Sequence, residues 1–358
     1  MQNPDCSAHE ILSYALANDF HTNNLPLNPA QQRALYAAIA HLAESEAEEY
    51  NDGYYACRSS PWDDALTHLA QALPDLEAAR NTVQPISAMT TYLILSHHPL
   101  PHIAAHAARH PQAHYYIHHD AQSPRLTGSL TTLPNVHLIS HRIRINWGGF
   151  TMIEATLALI QAALANPDTR HYHLISGSCA MLQSPETLAA QCQTQPENTL
   201  WLCSHPSPHL RYRTRFNAPH ADTAWQRSLP GKILTRSLKI ADRILPSRQI
   251  CLAGSQWFSA NRAALKLLFD HSLDDNAALF EKKLVPDEHF FQHIAHQLSG
   301  SLNHINDNRR LIRFQDRANH PDTLSLDDLW AAKKNGAWFA RKVSAENQMR
   351  WLQYEQNV

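Results

Sequence analysis

From residue 91 onward the chain alternates between short β-favouring runs and longer runs with helical spacing. Residues 91–96, 114–118, 136–139 and 171–176 are rich in apolar and aromatic side chains, without a clean polar–apolar alternation. Turn residues bound them, which predicts short strands buried on both faces. Residues 101–109 and 151–165 place apolar positions at helical intervals, and a further strand is expected at 249–252. Strand–helix–strand alternation predicts an α/β fold, a mainly parallel sheet flanked by helices. Such sheets take ligands at the carboxyl ends of their strands. Here those ends are His97-His98, Asp120 and Ser176-Gly177.

The first 85 residues follow a different pattern. Asn28-Pro29 offers a cap and a first-turn proline, and residues 30–49 are alanine- and leucine-rich with an acidic end. Trp62, Ala65, Leu66, Leu69 and Leu73 give a second helical stripe. We therefore expect a helical accessory segment at 1–85, able to mediate oligomerisation, a catalytic-sized domain at 86–345, and a helical tail at 346–358.

Composition narrows the function classes. With 44% hydrophobic and 17% charged residues the chain is globular, and a net charge of −2 argues against a nucleic-acid partner. No apolar segment is long enough for a signal peptide or membrane span, so the expectation is a cytoplasmic protein, peripheral at the inner face of the membrane if its acceptor is membrane-borne. The six cysteines form no CxxC pair and are expected to be reduced thiols. Among 25 histidines, His102, His106 and His110 recur every four residues. That spacing suits metal chelation, but no acidic partner accompanies it, and a solvated helix face is the expectation. Residues 209–248 hold nine Arg or Lys against two Asp, which suits either a loop region binding an anionic acceptor or membrane surface, or a solvated insertion.

Five segments carry candidate chemistry. Asp120 follows a buried run and suits either hydrogen bonding to a base or ribose, or turn formation. Trp147-Gly148-Gly149 offers a flat indole and close backbone approach, or a tight turn around a core tryptophan. Gly254-Ser255-Gln256-Trp257 is the third. In the fourth, Pro286 can occupy a first helical turn, setting Asp287 and Glu288 at a helix N-terminus. A carboxylate held ionised there can accept a proton from a hydroxyl; simple capping is the ordinary alternative. The fifth is cationic: Arg309, Arg310, Arg313, Arg341 and Lys342 could stabilise a departing diphosphate or form a solvated basic surface. No Asp-x-Asp triplet marks a metal site, and Asp274-Asp275 and Asp327-Asp328 sit in helix-capping contexts.

Taken in order, these segments resemble the core-2/I-branching β-1,6-N-acetylglucosaminyltransferase family, which includes peptide O-xylosyltransferases. The matching stretches are Tyr92-Leu-Ile-Leu-Ser-His97, Tyr116-Ile-His-His-Asp120, Trp147-Gly-Gly-Phe-Thr-Met-Ile-Glu-Ala155, His173-Leu-Ile-Ser-Gly177 and Gly254-Ser-Gln-Trp-Phe258. They continue with Pro286-Asp-Glu-His-Phe-Phe291, His320-Pro-Asp-Thr-Leu324 and Phe339-Ala-Arg-Lys342. The resemblance implies a GT-A fold, a UDP-sugar donor, inversion at the anomeric carbon and no metal cofactor. It also implies transfer of N-acetylglucosamine or xylose to a glycan or glycolipid acceptor, with bacterial surface polysaccharide assembly as the setting.

Position by position, the resemblance implies Glu288 as catalytic base and Lys342, joined by an arginine near Arg310, as the diphosphate site. Asp120, Arg313, Arg341 and His97 complete the expected nucleotide side. Trp147, Gly177, Ser178, Gln256, Trp257 and Asp287 are the expected sugar and acceptor side. The chain departs from the pattern after His-Leu-Ile-Ser-Gly. Ser178-Cys179-Ala180-Met181 stands where the family has Gln-Asp-Tyr-Pro. A nucleotide-sugar-binding protein that retains the fold without catalysis is the alternative.

Overall fold

The computed structural model describes residues 90–273, 275–314 and 321–354. The expectations for residues 1–85 lie outside them, and so does Asp274.

The described chain begins with β1 (Thr90–Ser96), α1 (Pro101–Arg109), β2 (His114–His119), β3 (Val136–Leu138), α2 (Thr151–Leu164) and β4 (His171–Ser176). It continues through β5 (Ala180–Met181), α3 (Pro185–Gln193), β6 (Thr199–Trp201), β7 (His205–Pro206), α4 (Tyr212–Arg215) and α5 (Leu229–Ile244). Next come β8 (Leu252–Ala253), β9 (Ser259–Asn261), α6 (Arg262–Ser272), α7 (Asp275–Phe280), α8 (Phe290–Gln297), β10 (Asn303–Ile305) and β11 (Arg310–Ile312). The last elements are α9 (Leu326–Lys334), β12 (Phe339–Arg341) and α10 (Ala345–Tyr354).

Seven strands form the central sheet in the order β10-β6-β9-β4-β1-β2-β3. β1 pairs parallel with β2 and β4, β2 with β3, and β10 with β6; β9 runs antiparallel to both its neighbours. All seven residues of β1 are buried, and its side chains alternate between two cores. Leu93 and Leu95 join α2, α6 and α8 through Ile153, Leu159, Leu265, Leu268, Phe290 and Ile294. Tyr92 and Ile94 join α1 and α3 through Ile103, Ala107, Leu188 and Cys192. This is the mostly parallel, helix-flanked α/β sheet expected from the sequence, consistent with a GT-A-like fold. A second sheet, β11-β12-β5, brings the C-terminal cations to the domain.

Several sequence expectations require correction. The strand expected at 249–252 is only Leu252–Ala253, because it pairs with a two-residue partner, β7. Residues 209–248 are largely helical rather than a loop, with α5 alone spanning sixteen residues. The histidine face of α1 is not solvated. His102 and His106 are buried, and the His106 Nδ1 lies 2.6 Å from the Tyr115 hydroxyl. Burial pushes the His102 imidazole down to about 4, so the ring is neutral at physiological pH. Among the described residues no cluster of three candidate metal ligands converges there or elsewhere. The C-terminal helix α10 is an integral element, with Trp351 buried and the Gln348 amide donating to the carbonyls of Gly177 and Cys179. The four described cysteines are free thiols, as expected. Asp327 and Asp328 do lie in the first turn of α9, Asp328 closing a capping box with Ser325.

Candidate active site

At the carboxyl end of the parallel strands, successive contacts close a ring. The Asp120 amide donates to the carbonyl of Ser96, tying the end of β2 to that of β1. The Asp120 Oδ1 accepts from the amides of Gln122 at 2.9 Å and Ile145 at 3.3 Å, holding the loop that carries Trp147. One oxygen therefore serves a turn. Further round, the Val285 amide donates to the Gly148 carbonyl, and the Glu288 carbonyl accepts from Gly254 N at 2.9 Å. Three residues later Trp257 lies beneath Arg341, whose guanidinium carbon is 4.7 Å from the ring centroid. The Arg341 Nη1 donates to the hydroxyls of Ser176 and Ser178, at the end of β4. Gly177 then meets Ser96: a Cβ there would come within 2.7 Å of Leu100 and 3.1 Å of Ser96. Lys342 is exposed beside Arg341, and His97 is exposed just past β1. Burial, then His98, then the Lys342 and Arg341 charges lower the His97 imidazole, while Asp120 opposes them.

The Trp147 loop is shaped by a residue the sequence did not single out. The Asp222 carboxylate accepts from Thr151 N and Thr151 Oγ1, both at 3.0 Å, capping α2 from another segment. A Cβ on Gly149 would lie 1.9 Å from that carboxylate. Trp147 is half exposed, not a core residue, and the Arg227 guanidinium sits 4.9 Å from its ring.

Glu288 stands in a three-residue 3₁₀ turn, Pro286–Glu288, rather than at the start of an α-helix. The eight-residue helix α8 begins two residues later, at Phe290, so Glu288 lies just ahead of its N-terminus. Its charge is also met by Arg213, whose Nη1 donates to Oε2 at 2.6 Å. Val285 precedes the turn at φ 49°, a left-handed conformation unfavourable for a β-branched residue. Gly148 and Gly254 hold it from either side. Asp287 differs sharply. Its Oδ1 is buried without a hydrogen-bond partner, and burial together with the Glu288 charge pushes its carboxyl up to about 7. Gln256 is also buried.

Two expected phosphate ligands have guanidinium groups that are already engaged. The Arg310 Nη2 donates to the carbonyls of Leu174 and Phe258, and its guanidinium stacks 4.9 Å over Phe339. Burial pulls that guanidinium down to about 10. Arg310 is a structural group inside the sheet. Arg313 forms a bidentate pair with Asp328 at 2.9 and 3.0 Å, and its carbonyl accepts from the Asp322 amide, whose own carbonyl accepts from Lys342 N. Cys179 is buried with Ser176 N donating to its sulfur at 3.4 Å. Its departure from the family pattern therefore lies beneath the rim, not on it.

The arrangement offers one paired carboxylate, two cations at the end of β4 and β12, and an exposed indole on one edge. A family model described as Core-2/I-Branching enzyme matches residues 90–333. The match contains Asp120, Trp147, Trp257 and Glu288 but ends before Arg341 and Lys342. No curated protein matches the chain.

Proposed function

The chain belongs to the core-2/I-branching enzyme family, whose members are glycosyltransferases, and from that premise we propose an inverting, metal-independent transfer from a UDP-sugar. N-acetylglucosamine or xylose is the donor sugar, and a hydroxyl of a glycan or glycolipid is the acceptor. Arg213 holds one Glu288 oxygen, and the other takes the acceptor's proton as its hydroxyl oxygen attacks the anomeric carbon. The new glycosidic bond forms on the face opposite UDP. The bond to the diphosphate breaks, and UDP departs with the electron pair. Arg341 and Lys342 neutralise the charge that develops there. Asp120 and His97 border the nucleotide, while Trp147, Gln256, Trp257, Gly177, Ser178 and Asp287 border the sugar and acceptor. Arg310 and Arg313 drop out because their guanidinium groups are engaged elsewhere.

The observation that carries this reading is the Glu288–Arg213 pair, tied by the Glu288 carbonyl to the loop that leads to Trp257 and Arg341. Its test is a panel of UDP-sugars added to the protein in EDTA, with melting temperature as the readout. A donor at about a hundred times its Kd stabilises the folded state by about 2.7 kcal/mol. UDP-N-acetylglucosamine or UDP-xylose should raise the melting temperature, and Lys342→Ala should remove most of that rise. No shift with any UDP-sugar contradicts the proposal.

A further inference from the structure

Helix α5, Leu229–Ile244, presents a side that nothing in the described fold covers. At roughly 100° per residue, Leu229, Ile233, Ile240 and Ile244 fall within about 60° of arc. They are 73%, 58%, 55% and 74% exposed. Lys232, Arg236, Lys239 and Arg243 line one flank of this stripe and are exposed as well. Trp225, Leu245 and Ile250, just outside the helix, add further exposed apolar surface.

The opposite side of α5 anchors it. Leu238 packs against the cluster of Ala218, Ala221 and Leu284. Thr235 Oγ1 lies 2.8 Å from the His220 Nε2. Asp242, the helix's one acidic residue, is 6% exposed and pairs with Arg211 at 3.0 Å and Arg215 at 3.2 Å. Asp222, the other acid of the segment, is bound to Thr151. Both acids thus point inward, and three of the nine cations, Arg211, Arg213 and Arg215, face acidic partners. The six others, Arg227, Lys232, Arg236, Lys239, Arg243 and Arg248, are exposed.

We propose that α5 lies in the interface of an anionic lipid bilayer, its aliphatic stripe among the acyl chains and its cations on the headgroups. An apolar stripe flanked by cations, with no outward acid, suits an interfacial helix. A second copy of the same face is disfavoured, since it would set cation against cation. The helix also connects to the candidate site. Arg213, on α4 beside α5, holds Glu288, and Arg227, one turn before α5, covers Trp147. A protein seated this way would meet its acceptor at the membrane. The docking proposal itself does not depend on the glycosyl-transfer reading.

Flotation of the full-length chain with phosphatidylcholine vesicles, with and without phosphatidylglycerol, tests it. The wild-type chain should float with the anionic vesicles and not with the neutral ones, and added salt should weaken that binding. Arg236→Gln with Lys239→Gln should lower binding about fivefold or more per charge removed. Ile233→Asn with Ile240→Asn should lower it at least as much, with an unchanged melting temperature, because these side chains contact mainly solvent. Turnover on a soluble acceptor should be unaffected in the isoleucine variant, so loss of docking and loss of catalysis are separately visible. Wild-type protein that stays off anionic vesicles overturns the proposal. Isoleucine variants that bind as wild type reduce it to surface adsorption and overturn it equally. Self-association without vesicles, abolished by the same variants, would assign the face to a second copy instead.

Discussion

Asp287 and Glu288 share one short turn, but Arg213 lies 2.6 Å from one while a buried oxygen of the other has no partner. The consequence for Asp287 is a pH-dependent cost. Its folded-state carboxyl sits at about 7, above the ordinary value of 3.8. Between those values the unfolded chain releases this proton and the folded chain keeps it, so stability falls as pH rises from about 4 to about 7 and is level above that. The full displacement corresponds to about 4 kcal/mol. The residue keeps some solvent contact, so we expect on the order of 2 kcal/mol. Asp287→Asn should therefore raise the melting temperature at pH 8, with the gain shrinking toward pH 4. A gain independent of pH would show that the carboxyl is not protonated by its surroundings. At this scale the sequence was only partly legible. Glu288 stood out through its neighbours Pro286 and Asp287. Arg213, 75 residues away among nine cations, had no local signal. Arg310 looked like a phosphate ligand because charge is visible in a sequence and the carbonyls that consume it are not.

At the scale of elements, strands buried on both faces were easy to read, since β1, β2 and β4 each set apolar and aromatic side chains between turn residues. The two- and three-residue strands β5, β6, β7 and β9 to β12 were not, and β8 was placed only in part, because their existence depends on partners distant in sequence. For α1 the spacing was right and the burial wrong: histidine is polar enough to suggest solvent, yet small enough to pack when neutral. The period of α5 was present in the sequence, hidden behind its charge. Loop-to-loop packing at the site depends most on Gly254. A Cβ there would lie 1.9 Å from the Cys203 carbonyl oxygen, a backbone atom that cannot rotate away. Gly254→Ala should cost about 3 kcal/mol, measured by denaturant unfolding, and should also disturb the hydrogen bond to the Glu288 carbonyl. Unfolding at the wild-type denaturant midpoint would mean that this loop is not held as described.

For the molecule as a whole, the parallel sheet does the assembling. It delivers Ser96, Asp120 and Ser176 to one edge, and the loop leading into β9, the end of β12 and the Pro286 turn close round them. Family membership rests on residues 90–333, while the two cations proposed to take the diphosphate lie beyond them. Chemistry at Glu288 is therefore the point on which the functional account turns. The most direct measurement is turnover of a UDP-sugar that binds the wild-type chain, compared between wild type and Glu288→Gln in EDTA. The account predicts a fall of about two to four orders of magnitude with UDP affinity retained. Equal turnover in the two proteins would contradict it.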